Sequence, residues 1–238
     1  MQTVNNIRSH FIQALQNKDF VQDKYGSKTI ELIGASFIAD EPSIFGKVNE
    51  QYVEAELAWY ESTSPNINDI YPWPQYPNDK APPEAWQHAA NAHGEINSNY
   101  GKLIYTDKYF NQYGMALDEL IRNSDSRRAT MIYTRPSIWE EYCEDGKNDF
   151  ICTNSVTYYL RGGAIHAVVQ MRSNDVVYGY KNDYAWQFSV LKKFVRDYNA
   201  IYLEKAWDAD YRKEMGVGTI TWQVQNLHVY ERHFHLVK

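Results

Sequence analysis

Two β-rich runs joined by a tight turn constrain the fold of this chain more than any other feature. The runs are DFICTNSVTYYL (149–160) and AIHAVVQMR (164–172), and the RGG between them is typical of a hairpin. A third run, GTITWQVQNLHVYERHFHLV (218–237), alternates apolar and polar residues in its first half, which predicts a half-buried strand. Segments with helical spacing separate these strands. The sequence therefore predicts an α+β fold, with a mixed or antiparallel sheet and helices packed on one side of it.

The remaining elements are predicted from the spacing of apolar residues. Two further strands are expected in KTIELIGASFIA (28–39) and ATMIYTR (129–135), and helices are expected in TVNNIRSHFIQALQNK (3–18), NEQYVEAELAWYES (49–62), PEAWQHAANAHG (83–94) and MALDELIRN (115–123). In the helix 49–62, Val53, Leu57 and Tyr60 are expected to form the apolar stripe, with Glu56 at its edge. A long helix is expected from about Asp183, and the proline-rich stretch 65–83 is expected to be an extended loop.

Length and charge narrow the class of protein. A chain of 238 residues without a long flexible linker predicts one domain spanning 1–238. The net charge of −6 argues against direct DNA binding, which needs a basic surface. No basic and then apolar leader and no membrane-spanning apolar run is present, so we expect a cytoplasmic protein without a membrane partner. Cys143 and Cys152 indicate free thiols in a reducing compartment.

Cys152 is the first candidate for chemistry. It lies in a predicted strand, where a buried cysteine is most often a small hydrophobic residue. Across the hairpin, Arg172 is expected near the same region of the sheet, and a guanidinium favours the thiolate form of a cysteine. Cys152 is therefore either a structural thiol or an activated nucleophile. Cys143 lies among carboxylates in EYCEDGKND, which disfavour a thiolate, and is interpreted as structural or incidental.

Adjacent arginines and a late arginine–serine pair are candidates for binding phosphate. Arg127 and Arg128 precede a predicted strand, where they form either a solvated basic tip or part of a binding site. On a loop, both guanidinium groups can face one point. Together with Arg172 and Ser173 they would then cradle a phosphate through planar N–H groups and a hydroxyl.

Three histidines near the end of the chain are candidate metal ligands. In an extended segment, His228 points away from His233 and His235, and no carboxylate or thiol is placed to complete a site. We therefore expect no metal. His228 and Tyr230 share a face and are interpreted as hydrogen-bonding partners of a sugar hydroxyl.

Several motifs resemble the thymidylate synthase superfamily, and within it the deoxycytidylate hydroxymethylase branch of T-even-type bacteriophages. They are KTIELIGASFIADEPSIFG, GEINSNYG, SRRATMIYTRPS, CTNSV and MRSNDVVYGYKNDYAW, and the resemblance covers nearly the whole chain. It implies the thymidylate synthase fold, a homodimer packed through its sheets, and 5,10-methylenetetrahydrofolate as the co-substrate, with tetrahydrofolate as its product. Other phage enzymes of nucleotide synthesis are further partners that it suggests, in the cytoplasm of the host.

The resemblance assigns roles to individual residues. The nucleophile falls on Cys152, the phosphate-binding arginine and serine on Arg172 and Ser173, and the arginines contributed by the partner subunit on Arg127 and Arg128. Two active sites would then share residues across the dimer.

Further roles follow from the same resemblance. Lys24 of DKYGSKT matches an arginine of the early phosphate-binding loop, Glu56 the carboxylate that holds an ordered water, and Tyr100 a tyrosine of the proton network. Trp86 and Asp175 match the folate-facing residues. The pair that binds the sugar hydroxyl falls on His228 and Tyr230, in agreement with the interpretation above.

Asp183 bears on which base is bound, because synthases that act on uracil carry asparagine at the matching position. An amide satisfies the ring N–H and the carbonyl of uracil, whereas a carboxylate accepts from both the amine of cytosine and its protonated ring nitrogen. The carboxylate charge also favours the ring protonation that accompanies thiolate addition. From the sequence alone, Asp183 suits the N-cap of a helix equally well. The resemblance favours cytosine recognition.

The resulting hypothesis is a folate-dependent one-carbon transferase that hydroxymethylates carbon 5 of dCMP. Cys152 attacks the pyrimidine, and Glu56, Tyr100 and Asp183 position water and move protons. Ile151, Thr153 and Met171 replace residues usual in synthases, and the chain ends without their long tail, which would admit water more readily. The alternatives are a thymidylate synthase, a cytidylate methylase that reduces the methylene group, or a non-catalytic subunit that binds nucleotide. Mass and dihydrofolate analysis of the products separates the first two from the hydroxymethylase.

Overall fold

The computed structural model describes residues 1–22, 24–72, 74–77, 80–205 and 214–238. They form two compact units, and each is described by itself. The first comprises Met1–Val48, Ala116–Thr130 and Val156–Lys238, and the second comprises Asn49–Met115 and Met131–Ser155. None of the described helices is both long enough and apolar enough to span a membrane.

A mixed sheet organises the first unit. The described strands are β1 (Gln2–Thr3), β2 (Val21–Gln22), β3 (Lys28–Ile38), β4 (Thr130–Ile132), β5 (Thr153–Arg161), β6 (Ala164–Asp175) and β7 (Gly216–Tyr230). Their order is β1-β3-β7-β6-β5-β4, with β2 paired to β3. β7 runs antiparallel to β3 and parallel to β6, so the predicted mixed sheet is confirmed. Gly162 and Gly163 both have positive φ, as the predicted hairpin between β5 and β6 requires.

The alternation of buried and exposed residues breaks at one level across three adjacent strands. In β6 the buried residues are every second one up to Met171, and the next is Asn174. In β7 the same change falls between Val224 and Leu227. In β3 it surrounds Gly34, whose φ of 72° is outside the usual strand region. Ladder pairs connect these positions, because Met171 faces Val224 and Asn174 faces Leu227. At this level, consecutive residues of one strand can face the same side.

Two helices of the first unit pack against the sheet. α1 (Val4–Asn17) buries Val4, Ile7 and Phe11 and contacts β3. α7 (Gly179–Lys205) contacts β6 and β7, where Tyr180 meets Trp222 edge to face at a centroid distance of 5.3 Å. Each large side chain buried in this way stabilises the fold by about 2 kcal/mol. α1 begins and ends as predicted.

The start of α7 corrects the interpretation of Asp183. The helix begins at Gly179, four residues earlier than expected, so Asp183 is inside it and is no N-cap. The carboxylate that holds the preceding turn is Asp175, whose Oδ1 accepts from the backbone N–H groups of Val177 (2.9 Å) and Tyr178 (2.6 Å). The alternative role that the sequence left open for Asp183 is therefore wrong.

The second unit is built from short helices. They are α2 (Glu50–Ser62), α3 (Glu84–Ala89), α4 (Tyr100–Tyr105) and α6 (Ile138–Glu141), with 3-10 turns at Ile67–Ile70, Asp107–Tyr109 and Glu144–Gly146; α5 (Gln112–Arg122) has residues in both units. The turn at Ile67–Ile70 lies within 65–83, where only extended loop was expected. Within that stretch, residues 73, 78 and 79 lie outside the described residues.

The packing of α2 and α4 depends on a glycine and an asparagine. A Cβ at Gly101 would lie 1.7 Å from the carbonyl oxygen of Tyr60, so only glycine permits this approach. Asn99 is fully buried, and its amide donates to the backbone oxygens of Trp59 (3.1 Å) and Ser64 (2.8 Å). The end of α2 is thereby held against the start of α4, where Tyr100 lies.

The predicted stripe of α2 was wrong in its position. The residues of α2 that are buried are Ala55, Glu56, Trp59 and Tyr60, whereas Val53 and Leu57 are only half-buried. Glu56 therefore lies in the middle of the buried face and not at its edge. Helical spacing alone placed the stripe wrongly because it does not anticipate a carboxylate among the core residues.

Candidate active site

A cavity of about 390 Å³ opens at the break in the sheet of the first unit. It brings together four residues predicted to bind the nucleotide, namely Arg172, Ser173, His228 and Tyr230. Arg172 and Ser173 are consecutive, and in a regular strand they would face opposite sides. The loss of alternation at this level allows both to line the cavity.

The charge of this cavity is balanced within one chain. Its wall contains the guanidinium of Arg172 and the carboxylate of Glu31, which also accepts from Thr29 Oγ1 at 3.2 Å. These two formal charges cancel. His228 is nearly buried, and its ring meets that of Tyr230 edge to face at 4.8 Å. The cavity offers several polar groups to a nucleotide, but a dianionic phosphate needs additional positive charge.

The other predicted phosphate ligands do not line this cavity in the described part of the chain. Arg127 and Arg128 are exposed on the loop before β4, and Arg128 Nη2 lies 3.1 Å from Glu119 Oε1. Lys24 is exposed on the turn before β3, with its Nζ 4.9 Å from the centre of the Tyr25 ring.

Asp183 is oriented by a buried amide. Asn174 Nδ2 donates to Asp183 Oδ2 at 2.7 Å, and Asn174 Oδ1 accepts from the indole N–H of Trp222 at 3.3 Å. Asn174 is 3% exposed and Trp222 is fully buried. Asn174 was not predicted as a site residue, because the sequence does not show the break in the alternation of β6 that turns this side chain inward.

Asp175 offers one unused acceptor. Its Oδ1 is engaged by the turn before α7, whereas Oδ2 is buried without a hydrogen-bond partner among the described residues. His233 Nδ1 lies 4.0 Å from Oδ2, beyond hydrogen-bonding distance. Burial lowers the pKa of His233. His233 and His235 lie in the 3-10 helix Glu231–Leu236, so the expectation of an extended segment there was wrong.

A buried hydrogen-bonded cluster surrounds Glu56 in the second unit. Tyr52 Oη donates to Glu56 Oε1 at 2.5 Å, and the indole N–H of Trp86 lies 3.1 Å from the same oxygen and 2.9 Å from Tyr52 Oη. The structure thus brings together Glu56 and Trp86, which the sequence proposed separately. Tyr52 was not predicted, although its position one turn before Glu56 on a helix is a signal that could have identified it.

Burial controls the protonation of this cluster. Burial raises the pKa of Glu56 to about 7, although the hydrogen bonds from Tyr52 and Trp86 act in the opposite direction. Burial and the neighbouring carboxylate raise the pKa of Tyr52, so its hydroxyl remains a donor. A carboxyl group with a pKa of about 7 can both accept and release a proton at neutral pH.

The raised pKa of Glu56 predicts a pH-dependent loss of stability. Because the folded state holds this proton more tightly than the unfolded chain does, the stabilisation is complete below the usual pKa of 4.5 and is lost as the pH rises through about 7. The free energy of unfolding should fall by about 3 kcal/mol more in the wild type than in Glu56→Gln over this range. Urea unfolding of both proteins between pH 4.5 and 8 measures the difference. Parallel pH dependences would contradict it.

The remaining predicted site residues in the second unit are Tyr100 and Cys152. Tyr100 is buried, stacked on Tyr60 at 5.2 Å and edge to face with Tyr133 at 5.3 Å. Cys152 lies directly before β5 and not inside a strand as expected. Cys152 is half-buried, with Sγ 3.8 Å from the carbonyl oxygen of Phe150, and Ile151 and Thr153 on either side are fully buried.

Comparison with known proteins identifies the family. The family model "Thymidylate synthase" matches residues 13–238. The chain belongs to the thymidylate synthase family. It is 52% identical over 235 residues to the deoxycytidylate 5-hydroxymethyltransferases of Enterobacteria phages T4 and T2, covering 99% of this chain and 89% of each relative. The fold matches the crystal structure of thymidylate synthase from T4 phage with a TM-score of 0.72 and 18% identity, covering 96% of this chain and 77% of that one.

This thymidylate synthase family member has cavity residues that the sequence did not reveal. Thr29, Glu31, Gln225 and Asn226 line the cavity beside the predicted residues, and Asn226 Oδ1 is buried without a hydrogen-bond partner among the described residues. These four residues can be identified as cavity residues only when the register of β3 against β7 and of β7 against β6 is known. That register depends on the tertiary structure and cannot be read from the sequence.

Proposed function

We propose that this chain is a deoxycytidylate 5-hydroxymethyltransferase, which adds a hydroxymethyl group to carbon 5 of dCMP with methylenetetrahydrofolate as the donor. The observation that carries the proposal is the 52% identity, over 99% of the chain, to phage enzymes of that name. Asp183 supports it, because a carboxylate suits cytosine better than uracil.

The cavity in the sheet is proposed to hold the sugar and phosphate of the nucleotide. Arg172 and Ser173 donate to the phosphate, and His228 and Tyr230 hydrogen-bond the sugar hydroxyl. Asp183 accepts from the exocyclic amine and from the protonated ring nitrogen. Lys24 is proposed as a further cation for the phosphate.

Covalent catalysis is proposed to begin at Cys152. As the bond between Sγ and ring carbon 6 forms, the electrons of the double bond between carbons 5 and 6 move to carbon 5, which becomes the nucleophile. Bound methylenetetrahydrofolate supplies the one-carbon unit at the oxidation level of formaldehyde. The proton on carbon 5 leaves as the bond between the transferred carbon and tetrahydrofolate breaks. Water then adds its oxygen to that carbon, and the electron pair of the carbon–sulfur bond returns to Cys152 as the double bond between carbons 5 and 6 re-forms.

Glu56 is proposed to act as the general base when water adds to the transferred carbon. Its buried carboxyl group, with a pKa of about 7, can take a proton from water as the new carbon–oxygen bond forms. Tyr52 and Trp86 hold Oε1, so Oε2 is the oxygen that would accept this proton. Tyr100 is proposed to transfer protons in the same unit.

Two features fit the folate. Asp175 Oδ2 is a buried acceptor with no hydrogen bond from the part of the chain that the structure describes, and it suits the amino and ring N–H groups of a pterin. The indole N–H of Trp86 is already engaged, which leaves its half-buried ring to stack against an aromatic ligand. We propose these roles for Asp175 and Trp86.

The active form is proposed to be a homodimer in which Arg127 and Arg128 reach the partner's cavity. The support is the cancelled charge of the cavity, together with the exposed arginine pair and an apolar side chain on the exposed face of β3, Ile33, which is 69% exposed. Two arginines from a partner would provide the missing positive charge.

A complementation experiment tests the shared site. Mixing inactive Cys152→Ser with the inactive double variant Arg127→Ala/Arg128→Ala, after reversible dissociation, should restore activity. One site of each mixed dimer then has an intact cysteine and intact arginines, so random assortment restores about a quarter of the wild-type sites. Each variant mixed with itself is the control. Recovery no greater than in those controls would exclude arginines contributed in trans.

The experiment that tests the function identifies the nucleotide product. The wild-type protein is incubated with methylenetetrahydrofolate and either dCMP or dUMP, dihydrofolate is followed by absorbance, and the nucleotide is weighed by mass spectrometry. We expect dCMP to gain CH₂O without dihydrofolate formation. A gain of only CH₂ with dihydrofolate would instead indicate a reductive methylase or, with dUMP, a thymidylate synthase.

A further inference from the structure

The hydrogen bonds around Asn174 determine the direction of its amide. Trp222 has only an N–H donor, so the group that faces it at 3.3 Å must be the carbonyl oxygen of Asn174. The NH₂ group is therefore turned toward Asp183 Oδ2, 2.7 Å away. A side chain buried between two such partners has little freedom to rotate.

We propose that Asn174 is the positioning residue that makes Asp183 selective for cytosine; this inference rests on the proposed function. Its NH₂ group occupies one carboxylate oxygen of Asp183 and sets the plane of that carboxylate. It also favours the charged form, which must accept hydrogen bonds from the base. Trp222 acts one step further away by holding the amide of Asn174 in this direction.

The local backbone supports this role. Asn174 is turned inward because the alternation of β6 breaks beside it: the preceding buried side chain of the strand, Met171, lies three residues earlier and not two. The start of α7 approaches Asn174 closely, since a Cβ at Gly179 would lie 3.1 Å from Asn174 Nδ2. A larger residue at Gly179 would displace the amide. The side chain of Asn174 is thus held against Asp183 by the break in β6, by the close approach at Gly179 and by Trp222.

Other side chains at position 174 would fail for different reasons. A carboxylate would repel Asp183 at hydrogen-bonding distance, and an apolar side chain would leave Oδ2 without its donor. The absence of an orienting donor would let Asp183 rotate, so that it no longer discriminates between the two bases. A loss of discrimination between dCMP and dUMP is therefore the result that identifies a positioning role for Asn174. A loss of rate alone would not identify it.

The test compares Asn174→Ala and Trp222→Phe with the wild type, using dCMP and dUMP. Loss of a hydrogen bond to a charged group lowers an equilibrium or rate constant that depends on it by roughly 10- to 100-fold. We expect Asn174→Ala to lower kcat/KM for dCMP by about that factor, with a smaller change for dUMP, and Trp222→Phe to lower it less. Asn199→Ala is the matched control, because this half-buried asparagine of α7 hydrogen-bonds to the backbone of Met215 and should leave the ratio unchanged.

A second experiment distinguishes the positioning of Asp183 from a general structural effect of Asn174→Ala. In an Asp183→Asn background, adding Asn174→Ala should change the dCMP to dUMP ratio little further, because the carboxylate that Asn174 orients is then absent. Binding of dCMP and dUMP, measured by calorimetry, gives the ratio even without turnover. An unchanged binding ratio in Asn174→Ala, or in Trp222→Phe if the former does not fold, would overturn the proposal. A wild type that binds dCMP selectively but does not hydroxymethylate it would refute the proposed function alone.

Discussion

Replacing Cys152 by serine is expected to lower turnover of dCMP by roughly 10⁴-fold or more, as the loss of a covalent nucleophile does in other enzymes. A serine hydroxyl is far less acidic than a thiol, so little of it is ionised at neutral pH, and the bond to ring carbon 6 does not form. Nucleotide binding should persist, because the cavity that contains Arg172 and Ser173 is unchanged. Steady-state kinetics with methylenetetrahydrofolate and calorimetry with dCMP measure the two effects separately.

The chain offers a matched control for this substitution. Cys143 is exposed, and its thiol lies 3.7 Å from the carbonyl oxygen of Glu140. Cys143→Ser should therefore keep wild-type activity. Intact-protein mass spectrometry with 5-fluoro-dCMP and the folate should detect a nucleotide adduct on wild type and Cys143→Ser only. Undiminished turnover by Cys152→Ser would refute the covalent mechanism, and equal inactivity of all three proteins would favour the non-catalytic alternative.

The elements of the fold were largely predictable, because their apolar spacing is local. The hairpin around Gly162 and Gly163, the strand β3 and the helix α1 all appear where the residue pattern indicates. The errors occur where tertiary contacts override that pattern. α2 buries Glu56 because Tyr52 and Trp86 satisfy one carboxylate oxygen, and no spacing rule anticipates Trp86, a partner from another helix.

The sequence offered candidates for some residues of the candidate site but did not predict how they are arranged. Cys152, Arg172 and Asp183 could be selected from their chemistry and from the resemblance of their motifs to a family. The adjacent placement of Arg172 and Ser173 required the break in strand alternation, which involves three strands at one level. Asn174 was missed for the same reason, since a regular β6 would turn it outward.

Asp183→Asn is expected to reverse the choice of base. An amide offers one acceptor and one donor, which match the carbonyl and ring N–H of uracil, whereas cytosine presents its amine to a site that has lost an acceptor. Sites built to hydrogen-bond one substrate reject an analogue that leaves a buried group unpaired by about 10⁴-fold, so kcat/KM for dCMP should fall by roughly 10² to 10⁴. For dUMP the same quantity should rise. Competition between the two nucleotides, read by mass spectrometry, gives the ratio directly.

The position of Asp183 in α7 makes this prediction a test of recognition and not of stability. The helix begins at Gly179, so the substitution removes no cap, and the free energy of unfolding should change little. Asp197→Asn is the matched control, because Asp197 lies on the same helix and accepts from Lys193 (3.2 Å) and Arg196 (2.9 Å). It should leave the preference for dCMP intact. If Asp183→Asn kept that preference, cytosine recognition would have to lie with other side chains, and the backbone or Asn226 would be the next candidates.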